Sequence, residues 1–244
     1  MTRQLRVVFH GLHDGSEVHD GATNLATDEA LLDAGSLDAG FSDACWLRFY
    51  RWSEPTISLG YFQRFADFDD CGSVPVVRRC TGGGAIWHEH ELTFAYVGPL
   101  DVLPTKVEAS YAEWNEVLTH AAARFDRVLR PATPAGSASR WCFEQSVGLD
   151  LVDASGKKTV GSAQRRRDGR FLHHGSIVLT APPGQTFCGA MNLGALELAV
   201  AIVDSLVTLR HFDVQHVDLP DEVRERRADL VRTRYGQATW NTQR

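Results

Sequence analysis

The chain has 244 residues, of which 43% are hydrophobic and 23% are charged, and its net charge is −6 at pH 7. A negative net charge repels nucleic acids and anionic membranes, and no apolar run reaches the roughly 20 residues that a transmembrane helix needs. The length allows one full-sized hydrophobic core, so we expect a single domain over residues 1–244, with two closely packed subdomains as the alternative. The first residues also lack the apolar core of a signal peptide, so we expect a cytoplasmic protein with no membrane and no nucleic-acid partner.

Five cysteines are scattered along the chain without the Cys-x-x-Cys spacing that zinc and redox sites use. They are Cys45, Cys71, Cys80, Cys142 and Cys188. An odd number of dispersed thiols is typical of a reduced protein, so we expect free cysteines and no metal site.

The first third of the chain predicts one helix followed by two strands. Residues 24–35 (NLATDEALLDAG) space their apolar side chains as one face of a helix does, and Gly35 closes the segment. Residues 46–52 and 56–62 are aromatic-rich and alternate in polarity, with a Ser-Glu-Pro turn between them. We therefore expect an amphipathic helix and two sheet strands.

The middle third predicts a glycine-rich turn between strands and then a long helix. Segment 74–79 (VPVVRR) has strand character, the glycines at 82–84 interrupt it, and extended character resumes over 85–99. Residues 106–127 have helical spacing, whereas residues 130–140 are too rich in Pro, Ala, Gly and Ser for regular structure. We expect this last segment to be a surface loop.

The last third predicts more strands and then two helices. Residues 147–153 and 170–180 have strand patterns, residues 158–166 are a third candidate strand, and Asp-Ala-Ser-Gly and Arg-Asp-Gly supply the turns. Residues 193–209 and 221–236 are helical by period. Hairpin-linked strands with helices in separate segments indicate an α+β, or mixed α/β, fold.

Four motifs follow one another along the chain: FYRWSEPTISLGYFQ, VVRRCTGGGAIWHEHELTFAY, WCFE and KKTVGSAQRRRDGRFLHHGSIVL. Together they resemble the family of lipoate-protein ligases and octanoyltransferases, from about Asn24 to about Leu179. The resemblance implies a biotin/lipoate ligase-like catalytic domain with a mixed, mainly antiparallel sheet flanked by helices. Within the family, CFE upstream of Lys-x-x-Gly-Ser-Ala-Gln is similar to the cysteine-dependent octanoyltransferases.

This resemblance implies an acyltransferase of lipoate biosynthesis and protein lipoylation. Such an enzyme moves octanoate from acyl carrier protein to a lysine of a lipoyl-domain protein, such as the glycine cleavage H protein or a 2-oxoacid dehydrogenase E2. Transfer from a thioester to an amine is downhill, so the resemblance implies that no cofactor is required.

Two catalytic residues are implied by the same resemblance. Cys142 is the expected nucleophile, which holds the acyl group as a thioester, and Lys158 is expected to favour the thiolate and to help stabilise the oxyanion. A nearby cation is needed because a free thiol, with a pKa near ~8.5, is mostly protonated at neutral pH. Judged by spacing alone, Cys142 between Trp141 and Phe143 is more typical of a buried apolar thiol, and Lys157 competes with Lys158 for the site.

The substrate is expected to contact two segments of small residues and a few polar ones. The implied binding residues are Arg79, Thr81, Gly82, Gly83, Gly84, Ala85, His88, Gly161, Ser162, Ala163, His174 and Gly175. A glycine run lets backbone N–H groups approach an oxygen closely, and a guanidinium pairs with carboxylates and phosphates. The second segment leaves room for an alkyl chain, although a plain turn and close strand packing also explain such runs. Because His173 and His174 alternate on a strand, we expect His174 to point inward.

A basic run lies in the middle of the fourth motif, just after GSAQ. Its arginines are Arg165, Arg166, Arg167 and Arg170. Carrier proteins and lipoyl domains are generally acidic, so we expect Arg165 and Arg166 to dock an acidic carrier. A solvated hairpin is the alternative interpretation.

Three other functions remain open. An ATP-dependent lipoate-protein ligase would use ATP and magnesium, form lipoyl-AMP and leave Cys142 structural. Ligases of this family usually carry a small C-terminal domain and an Asn-Asp pair where this chain has CFEQSVGLD, and the roughly 35 residues after Leu209 are too few for such a domain. Amidotransfer between lipoyl domains and a silent acyl-binding or ligase-accessory module are the remaining alternatives.

Overall fold

The computed structural model describes residues 3–37, 43–102, 104, 106–134, 139–181 and 187–244. Its strands are β1 (Gln4–His10), β2 (Cys45–Tyr50), β3 (Thr56–Leu59), β4 (Val76–Arg78), β5 (Ile86–His88), β6 (Glu91–Pro99), β7 (Arg130–Pro131), β8 (Leu151–Val152), β9 (Lys158–Arg167), β10 (Arg170–Val178) and β11 (Asp213–His216). Its α-helices are α1 (Gly21–Leu37), α2 (Val107–Ala123), α3 (Ala195–Arg210), α4 (Asp221–Leu230) and α5 (Ala238–Asn241).

The strands form two sheets. The larger has the order β11-β1-β2-β6-β10-β9-β8-β7 and the smaller has the order β4-β3-β5. β1 runs parallel to β2 and β11, and β3 runs parallel to β4, whereas the other pairs are antiparallel. This arrangement confirms the predicted mixed, mainly antiparallel sheet.

The larger sheet packs helices on both faces because its strands alternate apolar side chains between them. Leu47 and Phe171 lie in the core beneath α2 and α3, while the adjacent Trp46 and Leu172 lie in the core beneath α1 and α4. Successive residues of a strand point to opposite faces, so a strand buried on both sides reads as a continuous apolar run. In the described part of the chain, no helix is both long and apolar enough to cross a bilayer.

Several boundaries differ from the sequence expectation. The predicted strand 147–153 shortens to β8, because Asp150 forms a turn in which its carboxylate accepts the N–H of Val147 at 2.8 Å. The extended segment 85–99 divides into β5 and β6, which belong to different sheets. The last predicted helix is α4 followed by a π-helical turn at Val231–Tyr235. The predicted loop 130–140 begins with the short strand β7, which pairs with β8, and its residues 135–138 lie outside the described residues.

The C-terminal helix α5 is hydrogen-bonded to strand β4 of the smaller sheet. Asn241 accepts the backbone N–H of Arg78 through its side-chain oxygen at 2.9 Å, and its carbonyl accepts Arg78 Nη2 at 3.0 Å. The indole N–H of Trp240 donates to Arg78 O at 2.8 Å. The end of β4, which precedes Arg79, is therefore held by residues far away in sequence.

Candidate active site

Cys142 lies where a loop crosses the end of the TGGG run. It begins a turn of 3-10 helix, Cys142–Glu144, that follows an extended Trp141. The N–H of Ala85 donates to Arg140 O at 2.8 Å, and the N–H of Cys142 donates to Ala85 O at 2.8 Å. These two hydrogen bonds tie the cysteine segment to the glycine run.

Glycine is required at position 84 for this crossing. A Cβ atom there would lie 2.9 Å from the backbone nitrogen of Cys142 and 3.1 Å from its Cα. Real Cβ atoms do not approach backbone so closely, so any other residue would push the two segments apart. The Cys142 side chain remains half-buried, which leaves its sulfur within reach of a ligand.

The ammonium group of Lys158 lies beside the Cys142 sulfur. Its Nζ is 3.4 Å from Cys142 Sγ and donates to the carbonyl oxygens of Cys142 at 2.8 Å and Gln145 at 3.1 Å. The Lys158 side chain is 3% exposed, whereas Lys157 is exposed. Lys158 is thus the member of the lysine pair that pins the cysteine turn and puts a positive charge next to the sulfur.

Asp150 completes this cluster and was missed by the sequence reasoning. Its Oδ2 is 2.7 Å from Lys158 Nζ, and its side chain is 6% exposed. Burial raises the pKa of Asp150, and the neighbouring Lys158 charge opposes that rise. A buried lysine requires an anionic partner. The available signal was an acidic residue inside a segment that otherwise resembles a strand.

A narrow cavity of about 40 Å³ adjoins the sulfur between the two sheets. Its walls include Leu25, Tyr50, Trp52, Ser58, Arg79, Gly83, Ile86, His88, Thr93, Cys142, Gly161, Ser162, Ala163, His174, Gly175 and Ser176. The β9–β10 register pairs Gly161 with Ser176, and Ala163 with His174, which brings these wall residues side by side. A Cβ atom on Gly161 would lie 3.2 Å from Cys142 Sγ, so the glycine keeps the space next to the sulfur open.

A wider cavity of about 260 Å³ adjoins the residues that flank Cys142 in sequence. It is lined by Ala85, Ile86, Trp87, His90, Glu91, Trp141, Phe143, Glu144, Ser176, Val178, Phe187 and Cys188. The two cavities share Ile86 and Ser176 as walls. Cys142 therefore lines the narrow cavity, and its neighbours Trp141 and Phe143 line the wider one.

The two adjacent histidines of β10 face opposite sides of the sheet. His174 lines the narrow cavity and is hydrogen-bonded through Nε2 to Thr81 Oγ1 at 2.7 Å and through Nδ1 to Asp28 Oδ2 at 3.1 Å. His173 lies in the core, with its ring centroid 5.4 Å from that of Trp114. Thr81, Gly82 and Gly84, which were also predicted to bind substrate, do not line either cavity.

Arg79 holds the glycine run. Its Nε and Nη2 donate to Gly82 O at 3.2 and 2.8 Å, Nη2 also donates to Gly84 O at 2.7 Å, and Nη1 donates to Ser58 O at 2.9 Å and Ser58 Oγ at 3.1 Å. A guanidinium has five N–H donors, and these contacts use all of them. The predicted pairing of Arg79 with a substrate carboxylate or phosphate therefore stays a prediction, because that pairing requires some of these bonds to open.

The basic run of β9 is only partly available to a partner. Arg165 and Arg166 are half-buried, and their guanidinium groups donate to Cys80 O at 3.4 Å and Ser110 Oγ at 3.0 Å. Arg167 is paired with Glu29 and Asp33, and Arg170 is buried. Carrier docking by Arg165 and Arg166 also stays a prediction.

One cluster in the described residues has metal-ligand geometry, at some distance in sequence from the cysteine. Ligand atoms of His10, Glu17 and His19 lie within 4.8 Å of one another. Arg48 Nε donates to His10 Nδ1 at 2.9 Å, and burial with the Arg48 charge lowers the pKa of His10 to about 2. Because Arg227 Nη1 also lies 3.4 Å from His19 Nε2, two guanidiniums oppose a cation and we assign no metal there.

Comparison with known proteins places this geometry in a family. Residues 20–190 match the family model of the lipoyl protein ligase A/B catalytic domain, and this range contains Cys142, Lys158, Asp150 and the glycine run. The chain belongs to this family. The curated relatives that it matches include octanoyltransferases LipM of Carboxydothermus hydrogenoformans (39% identical over 168 residues, 65% of this chain and 61% of the relative) and Exiguobacterium sp. (35% identical over 220 residues, 79% and 77%).

Lipoate-protein ligases with solved structures share the fold. A lipoate-protein ligase A bound with ATP has a TM-score of 0.76 at 21% identity, with 99% of both chains covered. A bipartite lipoate protein ligase of Thermoplasma acidophilum, studied with its E2 lipoyl domain, has a TM-score of 0.75 at 19% identity, with 98% and 96% covered. The match spans about three fifths of several of the LipM relatives, such as 61% of the C. hydrogenoformans protein.

Proposed function

We propose that this protein is an octanoyltransferase that moves octanoate from acyl carrier protein to a lipoyl-domain lysine through a thioester on Cys142. The observation that carries the proposal is the 3.4 Å contact between Lys158 Nζ and Cys142 Sγ at the mouth of the narrow cavity. The similarity to LipM octanoyltransferases supports it. In this proposal, residues 1–244 act as a single catalytic domain in the cytoplasm, where thiols stay reduced.

The first half-reaction forms the acyl-enzyme. The Cys142 thiolate, stabilised by the Lys158 ammonium, attacks the carbonyl carbon of octanoyl-pantetheine on the carrier. A tetrahedral oxyanion forms, the bond from carbon to the pantetheine sulfur breaks, and the carrier leaves as a thiol after taking up a proton. In this proposal, the positive charge of Lys158 and N–H groups of the glycine run stabilise the oxyanion.

The second half-reaction transfers the acyl group to an amine. A neutral lysine amine of the lipoyl domain attacks the thioester carbonyl, the bond from carbon to Cys142 Sγ breaks, and the attacking nitrogen loses a proton. The products are an amide and a regenerated thiolate. Because an amide is more stable than a thioester, ATP and magnesium are not needed; they belong to the rival ligase reaction.

The two cavities suit different parts of these substrates. An eight-carbon chain buries about six methylenes worth about 0.8 kcal/mol each, and we assign it to the narrow cavity. A space of about 40 Å³ holds only a few water molecules, so the walls must separate when the chain enters. We assign the wider cavity of about 260 Å³ to the pantetheine arm and then to the acceptor lysine. The acceptors we propose are the glycine cleavage H protein and 2-oxoacid dehydrogenase E2.

Mass spectrometry of the intact protein tests this function. Incubation with octanoyl carrier protein, without ATP, should add one octanoyl group to Cys142, and a lipoyl domain added next should remove it. Cys142→Ala should give no adduct and no transfer, whereas Cys71→Ala, a matched change at another half-buried cysteine, should behave like the wild type. Lipoylation that requires ATP and survives Cys142→Ala would instead establish the ligase.

A further inference from the structure

A chain of hydrogen bonds leads from an acidic side chain at the wider cavity to the glycine run. His88 Nδ1 and Glu91 Oε1 are 2.6 Å apart, and Ser58 Oγ and His88 Nε2 are 2.7 Å apart. Arg79 Nη1 donates to Ser58 Oγ at 3.1 Å. All four side chains are buried, at 5% exposure or less.

Chemistry fixes the direction of each bond in this chain. Arg79 can only donate, so Ser58 Oγ accepts from it and sends its own proton to His88 Nε2. The remaining ring proton of a neutral His88 is then on Nδ1 and is donated to Glu91. Burial lowers the pKa of His88, which favours this neutral form. Every donor and acceptor in the chain is thereby satisfied in a single arrangement.

This chain of hydrogen bonds also links the Arg79 guanidinium to a negative charge, which it does not contact directly. Arg79 is 4% exposed, and in the described part of the structure its hydrogen bonds go to neutral oxygens. Burial lowers the pKa of this guanidinium. Glu91 is the anion at the other end of the chain, so a neutral Ser58 and a neutral His88 link the two buried charges.

Arg79 connects this chain of hydrogen bonds to the backbone around Cys142. It binds the carbonyls of Gly82 and Gly84, and a Cβ on Gly84 would be 2.9 Å from Cys142 N. A shift of Arg79 therefore moves the glycine run and the backbone to which Cys142 is tied. Displacements of about 1 Å at such a site cost up to about a hundredfold in rate.

We infer that Ser58 and Glu91 are positioning residues for acyl transfer, which fix Arg79 and thereby the glycine run beside Cys142. The inference rests on the proposed function, and it assigns work to two side chains that sequence motifs did not single out. The Ser58–His88–Glu91 arrangement resembles a hydrolytic triad. Here, however, Ser58 is 1% exposed and its oxygen already accepts an Arg79 N–H, so the serine acts as a link and carries no acyl group.

The test compares two reactions of the same sulfur. Ser58→Ala should slow acylation of Cys142 by octanoyl carrier protein about 10- to 100-fold, because the glycine-run donors lose their alignment with the oxyanion. Alkylation of Cys142 by iodoacetamide should change less than about threefold, because alkylation develops no oxyanion and the Lys158 contact is intact. Ser58→Thr, which restores a hydroxyl, should recover most of the acylation rate.

Matched variants separate positioning from general stability. Thr56→Val alters a buried hydroxyl on the same strand that bonds locally to Glu54 O, and it should leave both rates unchanged. Glu91→Gln keeps an acceptor oxygen for His88 but removes the charge, and it should slow acylation about tenfold. The inference is wrong if acylation is normal in Ser58→Ala and Glu91→Gln, or if the acylation and alkylation rates fall together. It is also wrong if neither variant folds, or if octanoate is found on Ser58. Wild-type protein that is alkylated but never acylated would instead refute the proposed function.

Discussion

Lys158 and Asp150 form a buried ion pair in which Nζ and Oδ2 are 2.7 Å apart, and the lysine of this pair also touches the sulfur of Cys142. Two side chains exposed by 3% and 6% cannot rely on water for solvation. The two opposite charges therefore compensate each other in the buried cluster, and Asp150 holds the Lys158 ammonium in place beside the thiol.

Asp150→Asn should lower the free energy of unfolding by about 3 kcal/mol, because it leaves the Lys158 ammonium buried without an anion. Urea denaturation measures this loss. The double variant Asp150→Asn with Lys158→Met removes both charges and should be more stable than the single variant. A single variant within about 0.5 kcal/mol of the wild type would show that the pair is not needed for stability.

Gly161→Ala should slow Cys142 acylation about tenfold, because its Cβ would lie 3.2 Å from Cys142 Sγ and 3.1 Å from Lys158 Cε. Rapid-quench mass spectrometry measures the acylation rate. Gly148→Ala is the control, since its nearest neighbour would be Pro134 at 3.9 Å, an ordinary contact. Equal rates in the two variants would mean that the space beside the sulfur is not used.

Arg165→Glu combined with Arg166→Glu should lower kcat/KM for carrier-bound octanoate about tenfold at low salt, because an acidic carrier loses attraction to this surface. Octanoyl-pantetheine without a carrier should react at nearly the wild-type rate. Arg232→Glu, at an exposed arginine paired with Asp229, is the control. An unchanged kcat/KM at low salt would remove these arginines from the docking surface.

Stability should fall as the solution is acidified below about pH 6.5, partly through His173. Burial lowers the pKa of His173 to about 3, so the unfolded chain takes up a proton at a higher pH than the folded protein does. This stabilisation is complete above the unfolded pKa and is lost, at about 1.4 kcal/mol per pH unit, as pH falls toward the folded pKa. His173→Phe, which keeps an aromatic ring beside Trp114, should reduce the slope between pH 7.5 and 5.5 in urea denaturation. If stability depends on pH with the same slope in His173→Phe as in the control His90→Gln, the attribution to His173 is wrong.

The order of elements and the general architecture followed from local patterns. The predicted strand 46–52 and the predicted helix 106–127 correspond to β2 and α2. The helical period matches the one buried face of α2, whereas β2 is buried on both faces. β1 and β11 were not predicted. They form a parallel edge of the sheet, and pairing between segments about 200 residues apart leaves no local mark on a sequence.

The site itself was predictable only as far as its motifs reached. Motif order singled out Cys142 and Lys158. Their proximity depends on the contact between the start of β9 and the cysteine turn. Asp150, Ser58 and Glu91 were missed because each acts through one other side chain and belongs to a segment that looks like ordinary strand. Charge compensation in a buried cluster becomes visible only when the cluster is assembled in three dimensions.

The hydrogen bonds between α5 and β4 have a consequence for how this protein folds during its synthesis on the ribosome. Arg78 donates two hydrogen bonds to Asn241, 163 residues later, and the next residue, Arg79, donates to the carbonyls of Gly82 and Gly84. Contacts of such long sequence separation form late. We therefore expect a nascent chain to fix the backbone around Cys142 only after residue 241 has left the ribosomal exit tunnel.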